Sequence, residues 1–189
     1  MSETNRIDND LRYVRGLVSE SDRGPSPTAI YMMWAAICLA GFPLADFAPQ
    51  YVGLFWMIAG PLGGLASFVL GWRHSVRMGQ MRRDVGVRHG LHWTGMMVAI
   101  FLVVPLGVTE TITWNAVHRV ILLLLTLSYF LAGVHLDRPL LWVGVLMVAA
   151  YVALFFINAY QWTIVGVAVA VALAVAGLAG GKKRVRETE

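Results

Sequence analysis

Residues 116–136 read AVHRVILLLLTLSYFLAGVHL. About 20 helical residues, rising about 1.5 Å each, cover the roughly 30 Å hydrocarbon core of a bilayer, so this stretch predicts a transmembrane helix. Five further segments meet the same requirement: 28–47, 51–72, 91–108, 140–157 and 161–180. None shows the alternation of polar and apolar residues that a membrane β-barrel strand needs. The expected fold is therefore all-α: a polytopic membrane protein with a six-transmembrane-helix bundle. Composition agrees, because 58% of the 189 residues are hydrophobic and 14% are charged, more apolar than a soluble core demands.

Orientation follows from the basic residues, since Lys and Arg beside span ends are retained on the cytoplasmic side. Arg6, Arg12, Arg15 and Arg23 precede the first span, and Arg73, Arg77, Arg82, Arg83 and Arg88 follow the second. Arg138 follows the fourth, and Lys182, Lys183, Arg184 and Arg186 follow the sixth. Only Arg119 falls at the opposite side. The expected arrangement is a multi-pass protein of the plasma (inner) membrane with both termini cytoplasmic. Residues 1–27 form a cytoplasmic N-terminal segment, 28–180 the membrane domain with an inner basic loop at 73–90, and 181–189 a basic tail. The polar, charged start shows no cleavable signal peptide, so the first span is expected to act as an uncleaved insertion signal. Within that start, Ile7, Leu11, Val14 and Leu17 recur at helical spacing, predicting a short amphipathic helix over 5–20 at the headgroup surface or against a partner.

The basic residues, flanking apolar spans rather than forming a patch among aromatics, speak for lipid and against nucleic acid. Arg73, Arg77, Arg82, Arg83 and Arg88 are expected to meet anionic headgroups. Tyr31, Tyr51, Trp72, Trp93, Trp114, Trp142, Tyr160 and Trp162 lie near span ends, where such rings anchor at the interface. Cys38, the one cysteine, permits no intrachain disulfide and reads as packing.

Comparison of the two halves suggests a 3+3 inverted repeat. Leu39-Ala40-Gly41 followed by Asp46, Pro49 and Gly53 resembles Leu131-Ala132-Gly133 followed by Asp137, Pro139 and Gly144. His92-Trp93-Thr94 likewise resembles Gln161-Trp162-Thr163. A repeat with an odd number of spans inserts its second copy upside down, an arrangement shared by many channels and secondary transporters. Chance matches among Leu, Ala and Gly are the competing explanation.

Gly53, Gly60, Gly64, Ser67 and Gly71 share one face of the second span, where a neighbouring helix or a second copy of the chain can approach closely. Pro61 and Pro105 sit inside spans two and three and invite kinks. The Ile121–Leu125 run of span four is expected to face lipid.

No acid, base or histidine is expected near the bilayer midplane, which argues against ion-coupled pumping. Ser67, Thr126, Ser128 and Tyr129 are the deepest polar groups, and hydroxyls there commonly bond their own helix. At the outer side, Arg119 should seek an acid, Asp46 or Glu110, and these three with His118 and Gln161 would line an outer vestibule. At the inner side, His89, His92, His135 and Asp137 offer ligands for a divalent metal, and His92 with His135 is the one reasonable axial pair for a haem. Interfacial packing serves equally well for these histidines, and no cofactor is required. No G-x-S-x-G, H-E-x-x-H, P-loop or C-x-x-C appears, so no enzymatic activity is legible. Three functional classes stay open: a channel or transporter-like bundle for a small uncharged or weakly polar solute, a non-transporting accessory or regulatory protein that binds a cytosolic or membrane partner, and a metal- or haem-binding protein.

Overall fold

A computed structural model describes residues 27–77 and 83–187, with side chains described for 27–77 and 85–179. The amphipathic helix expected over 5–20, Arg82, and the side chains of Arg83 and the C-terminal basic tail lie outside the described residues. Among those residues the chain is all-helical: α1 (Thr28–Gly41), α2 (Leu44–Phe47), a 3-10 turn (Pro49–Tyr51), α3 (Val52–Arg77), α4 (Arg83–Val108), α5 (Trp114–His135), α6 (Pro139–Ala153) and α7 (Gln161–Glu187).

Among the described residues five helical stretches are long and apolar enough to cross a membrane: Thr28–Phe47, Pro49–Arg77, Val85–Val108, Trp114–His135 and Gln161–Ala179. The sixth apolar helix, Pro139–Ala153, has 15 residues and so a length of about 22 Å, short of the hydrocarbon core. The expected span 140–157 is helical only to Ala153, after which the backbone turns through Phe155 and Phe156. These apolar helices suggest a membrane-embedded protein.

The helix ends have local causes. Pro139 opens α6 at a position where a missing N–H costs nothing. Thr113 caps α5 by accepting from the Ala116 amide at 3.3 Å. Pro61 and Pro105 lie inside α3 and α4 without ending either.

Packing joins the helices in the order α3–α1–α7–α6–α5–α4, each to the next. The core is built from Tyr31, Ala35, Cys38 and Phe42 of α1, Val165, Val169 and Leu173 of α7, Val143 and Met147 of α6, and Leu122 of α5. Glycines set the spacing where backbones come closest. A Cβ at Gly144 would lie 2.6 Å from the Phe130 backbone nitrogen, and one at Gly133 would strike the backbone of Leu141, so α5 and α6 are in near-backbone contact. Gly166 and Gly177 of α7 play the same part toward Phe42 and Tyr31 of α1.

Three expectations about faces are corrected. Of the small residues on the second span, Gly60 and Ser67 meet a neighbour, whereas a Cβ at Gly53, Gly64 or Gly71 would meet nothing within 4 Å. The close approach to α1 instead uses Gly63, against Trp34 and Ile37 at 3.1 Å, because it lies about 80° around the helix toward α1 from the stripe read in sequence. Leu122, inside the run expected to face lipid, is 1% exposed, since α5 turns that position toward the core. Tyr31 and Trp162, expected as interfacial anchors, are each 5% exposed, while Trp72, Trp114 and Trp142 remain outward.

Gly144→Leu is expected to destabilise the bundle by about 1–3 kcal/mol through overpacking against backbone. Gly64→Leu should change stability by no more than about 0.5 kcal/mol. Reversible unfolding in detergent distinguishes the two.

Candidate functional site

At the end of the bundle opposite Arg73, Arg77, Arg88 and Arg138, polar groups converge on the start of α7. The first residues of a helix present amide groups without intrahelical partners and the positive end of its dipole. Asp46, carried there by the short α2, supplies the anion: its Oδ2 accepts from the Thr163 amide at 2.7 Å and from the Thr163 hydroxyl at 2.7 Å, and its Oδ1 accepts from the Trp162 amide at 3.5 Å. Phe42 stacks on Trp162 with ring centroids 6.4 Å apart, and Phe47 stacks on Tyr160 at 5.5 Å. His118 meets Trp162 edge-on at 5.6 Å.

Of the five residues expected at an outer vestibule, Asp46 and His118 thus both meet Trp162, and Gln161 adjoins it in the chain. Glu110 lies elsewhere, exposed in the turn between α4 and α5 with φ 57°, beside a shallow pocket of about 240 Å³ lined by Gly107, Ile112, Thr113 and Trp114.

Arg119 does not pair with Asp46 or Glu110. Its Nε donates to Asn115 Oδ1 at 2.9 Å, its guanidinium lies 5.3 Å from the Phe155 ring centroid, and Nη2 reaches the Leu154 carbonyl at 3.4 Å. Leu154 terminates α6, where the negative end of the dipole and bare carbonyls favour a cation. Asp46 and Arg119 therefore complement opposite termini of α7 and α6 rather than each other.

At the arginine-bearing end, Asp137 follows α5 and is buried, accepting from the Tyr31 hydroxyl at 2.6 Å. Nearby, the Thr28 hydroxyl donates to the Gly177 carbonyl at 3.0 Å. The expected metal set is not assembled. His89 Nδ1 lies 3.0 Å from the Val85 carbonyl, His92 Nε2 lies 3.0 Å from the Ser128 carbonyl on α5, and His135 is exposed while Asp137 turns inward. Among the described residues, no three His, Cys, Asp or Glu side chains are grouped to hold an ion.

Within the spans, Ser67 donates to the Gly63 carbonyl at 2.8 Å and accepts from Trp34 Nε1 at 2.9 Å, and Thr126 donates to the Leu122 carbonyl at 2.7 Å. These hydroxyls bond their own helices, as expected in lipid. Trp93 packs edge-on to Tyr129 at 5.2 Å. Sequence reasoning missed Tyr31 as a partner of Asp137, and Thr163 as a partner of Asp46. The spacing of Tyr31, Ala35, Cys38 and Phe42, four, three and four residues, carried the signal for the first, since it marks one helical face.

No protein family model, curated protein or solved structure matches the chain.

Asp46→Ala should lower stability by about 1 kcal/mol through loss of the α7 cap. Because Arg119 serves a different helix end, Asp46→Ala and Arg119→Ala should add to within about 0.5 kcal/mol. A double-mutant cycle with coupling well above that value would reinstate the ion pair.

Proposed function

We propose that the chain is a small transport bundle of two inverted three-span halves, conducting a small uncharged or weakly polar solute. The observation that carries this reading is the correspondence between packed pairs. In the first half α1 packs on α3, and in the second half α5 packs on α6; α1 also packs on α7, as α5 packs on α4. Those pairs exchange when spans one to three are matched with four to six, as an inverted repeat requires.

Details at matched positions support it. Gly41 abuts Phe55 and Trp56 of α3, and its counterpart Gly133 abuts Leu141 of α6. Trp93 of α4 lies against Tyr129 of α5, and its counterpart Trp162 of α7 lies against Phe42 of α1. The matched aspartates diverge, Asp46 capping α7 and Asp137 accepting from Tyr31. The match also fails for one pair: α6 and α7 are packed along their lengths, whereas α3 and α4 are not. Inequality of this kind between halves is what a bundle alternating between two access states requires. The absence of Asp, Glu, Lys and Arg from the middles of the spans favours an uncharged solute.

In this reading the arginine-bearing end faces the cytoplasm of a plasma (inner) membrane, and Arg73, Arg77 and Arg88, all exposed, meet anionic headgroups. A cysteine placed at Arg77 should be modified by an impermeant thiol reagent in inside-out vesicles and spared in intact cells; the reverse pattern rejects the orientation.

Purified protein in liposomes should accelerate entry of at least one of urea, glycerol or a small amide above empty liposomes, without passing ions. Rates equal to empty liposomes for every solute would reject transport.

A second reading, a non-transporting accessory protein, draws on the outward surfaces of α3 and α4, where Phe68, Leu91 and Leu102 are 70%, 69% and 71% exposed. It expects a reproducible membrane partner after cross-linking in native membranes, and repeated recovery of the chain alone would dismiss it.

A further inference from the structure

Among the described residues, Arg119 is the one arginine or lysine at the end of the bundle where α7 begins. It lies about 24 Å along α5 from His135 at the other end. The hydrocarbon core is roughly 30 Å thick. A helix that leaves the bilayer at His135 and Arg138 therefore keeps Arg119 at the far hydrocarbon edge, where an uncompensated cation is costly.

The chain supplies no anion beside it. Asp46 is bound to amides of α7, and Glu110 is exposed in the α4–α5 turn. The contacts of Arg119 are neutral: the Asn115 side-chain oxygen, the Leu154 carbonyl and the Phe155 ring. They leave the charge in place and fix its direction. Leu154 is buried and Phe155 stands edge-on to Tyr151 with centroids 5.6 Å apart, so the groups that hold the guanidinium are themselves anchored in the bundle. Of its five N–H donors, one on Nε and one on Nη2 are engaged. The remaining three belong to Nη1 and Nη2, in the planar fork that matches two oxygens of a phosphate.

The surroundings select the carrier of that phosphate. Arg119 is half-buried, and the rings near it face outward: Phe155 and Phe156, in the turn after α6, are 60% and 78% exposed, and Trp114 at the start of α5 is 51% exposed. Aromatic rings at span ends meet the headgroup and glycerol level of lipid. A soluble anion would gain nothing from them.

We propose that Arg119, aimed by Asn115 and Phe155, binds the phosphodiester of a phospholipid in the leaflet at this end, with the lipid's glycerol region against Phe155 and Phe156. A net-anionic lipid is preferred, because a zwitterionic headgroup carries an ammonium that competes for the same phosphate oxygens. The site does not rest on the transport reading or on which leaflet is cytoplasmic.

The test uses the full chain in phosphatidylcholine nanodiscs containing phosphatidylglycerol with a headgroup diazirine. After irradiation, labelled peptides are mapped by mass spectrometry. Labelling of residues 152–160 is referred to that of residues 73–77, which reports headgroup contact at the opposite end. Arg119→Gln should lower this ratio about fivefold, as loss of a charge-assisted bond to phosphate implies. Asn115→Ala keeps the charge but frees the guanidinium, and should lower the ratio about twofold; it also serves if Arg119→Gln does not fold. A diacylglycerol carrying the same diazirine and no phosphate should label residues 152–160 equally in both variants and in the unaltered chain. Inorganic phosphate in large molar excess should leave the phosphatidylglycerol ratio unchanged. A ratio indifferent to both substitutions, an equal fall with the diacylglycerol probe, or competition by inorganic phosphate down to the Arg119→Gln level would overturn the lipid site.

Discussion

The approach of α1 to α7 is the contact on which the remaining packing depends. Two glycines, Gly166 and Gly177, remove side chains where Phe42 and Tyr31 press against α7. Without a hydrophobic drive between helices in lipid, such close van der Waals contact and interhelical hydrogen bonds supply the attraction. Each end of the pair is also tied by a polar bond, Thr28 to Gly177 at one and Asp46 to Thr163 at the other. Tyr31, placed by this pairing, then reaches Asp137 beyond α5, bringing the first helix into register with the second half of the chain.

Polar side chains in the bundle mostly complete backbone needs. Asp46 serves the amides that begin α7, Arg119 the carbonyl that ends α6, His92 a carbonyl of α5, and Ser67 and Thr126 carbonyls one turn back in their own helices. In a low-dielectric surrounding an unpaired donor or acceptor costs several kcal/mol, so each of these residues has a structural use before any functional one. Among the described residues no buried side-chain nitrogen or oxygen lacks a hydrogen-bond partner.

The α3 and α4 helices behave differently. They attach to the rest through one side each, α3 to α1 by Gly63, Ser67 and Trp34 and α4 to α5 by His92 and Trp93. A Cβ at Gly64 and Gly71 of α3, or at Gly86 and Gly90 of α4, would meet nothing within 4 Å. The core is held by close glycine contacts, and α3 and α4, each joined to it on one side, are not packed on each other along their lengths.

Helical spans were legible from residues alone because bilayer thickness and helical rise together fix a minimum apolar run, which 116–136 and four of its five companions meet as helices among the described residues. The sixth helix was legible as apolar but not in its length, since the turn after Ala153 carries no proline or charge to announce it. Interfacial aromatics could not be sorted by position along a span: Trp142 and Trp162 both lie near span ends, yet one is 74% exposed and the other 5%. The sequence could name Arg119 as a charge in need of a partner. Only the tertiary structure could decide that the partner is a helix terminus rather than a carboxylate, because carbonyls are present at every residue and become available only where a helix ends beside the guanidinium. In the same way composition determined which residues could form a close seam, while the rotation of α3 against α1 determined that Gly63 makes it and Gly64 and Gly71 do not.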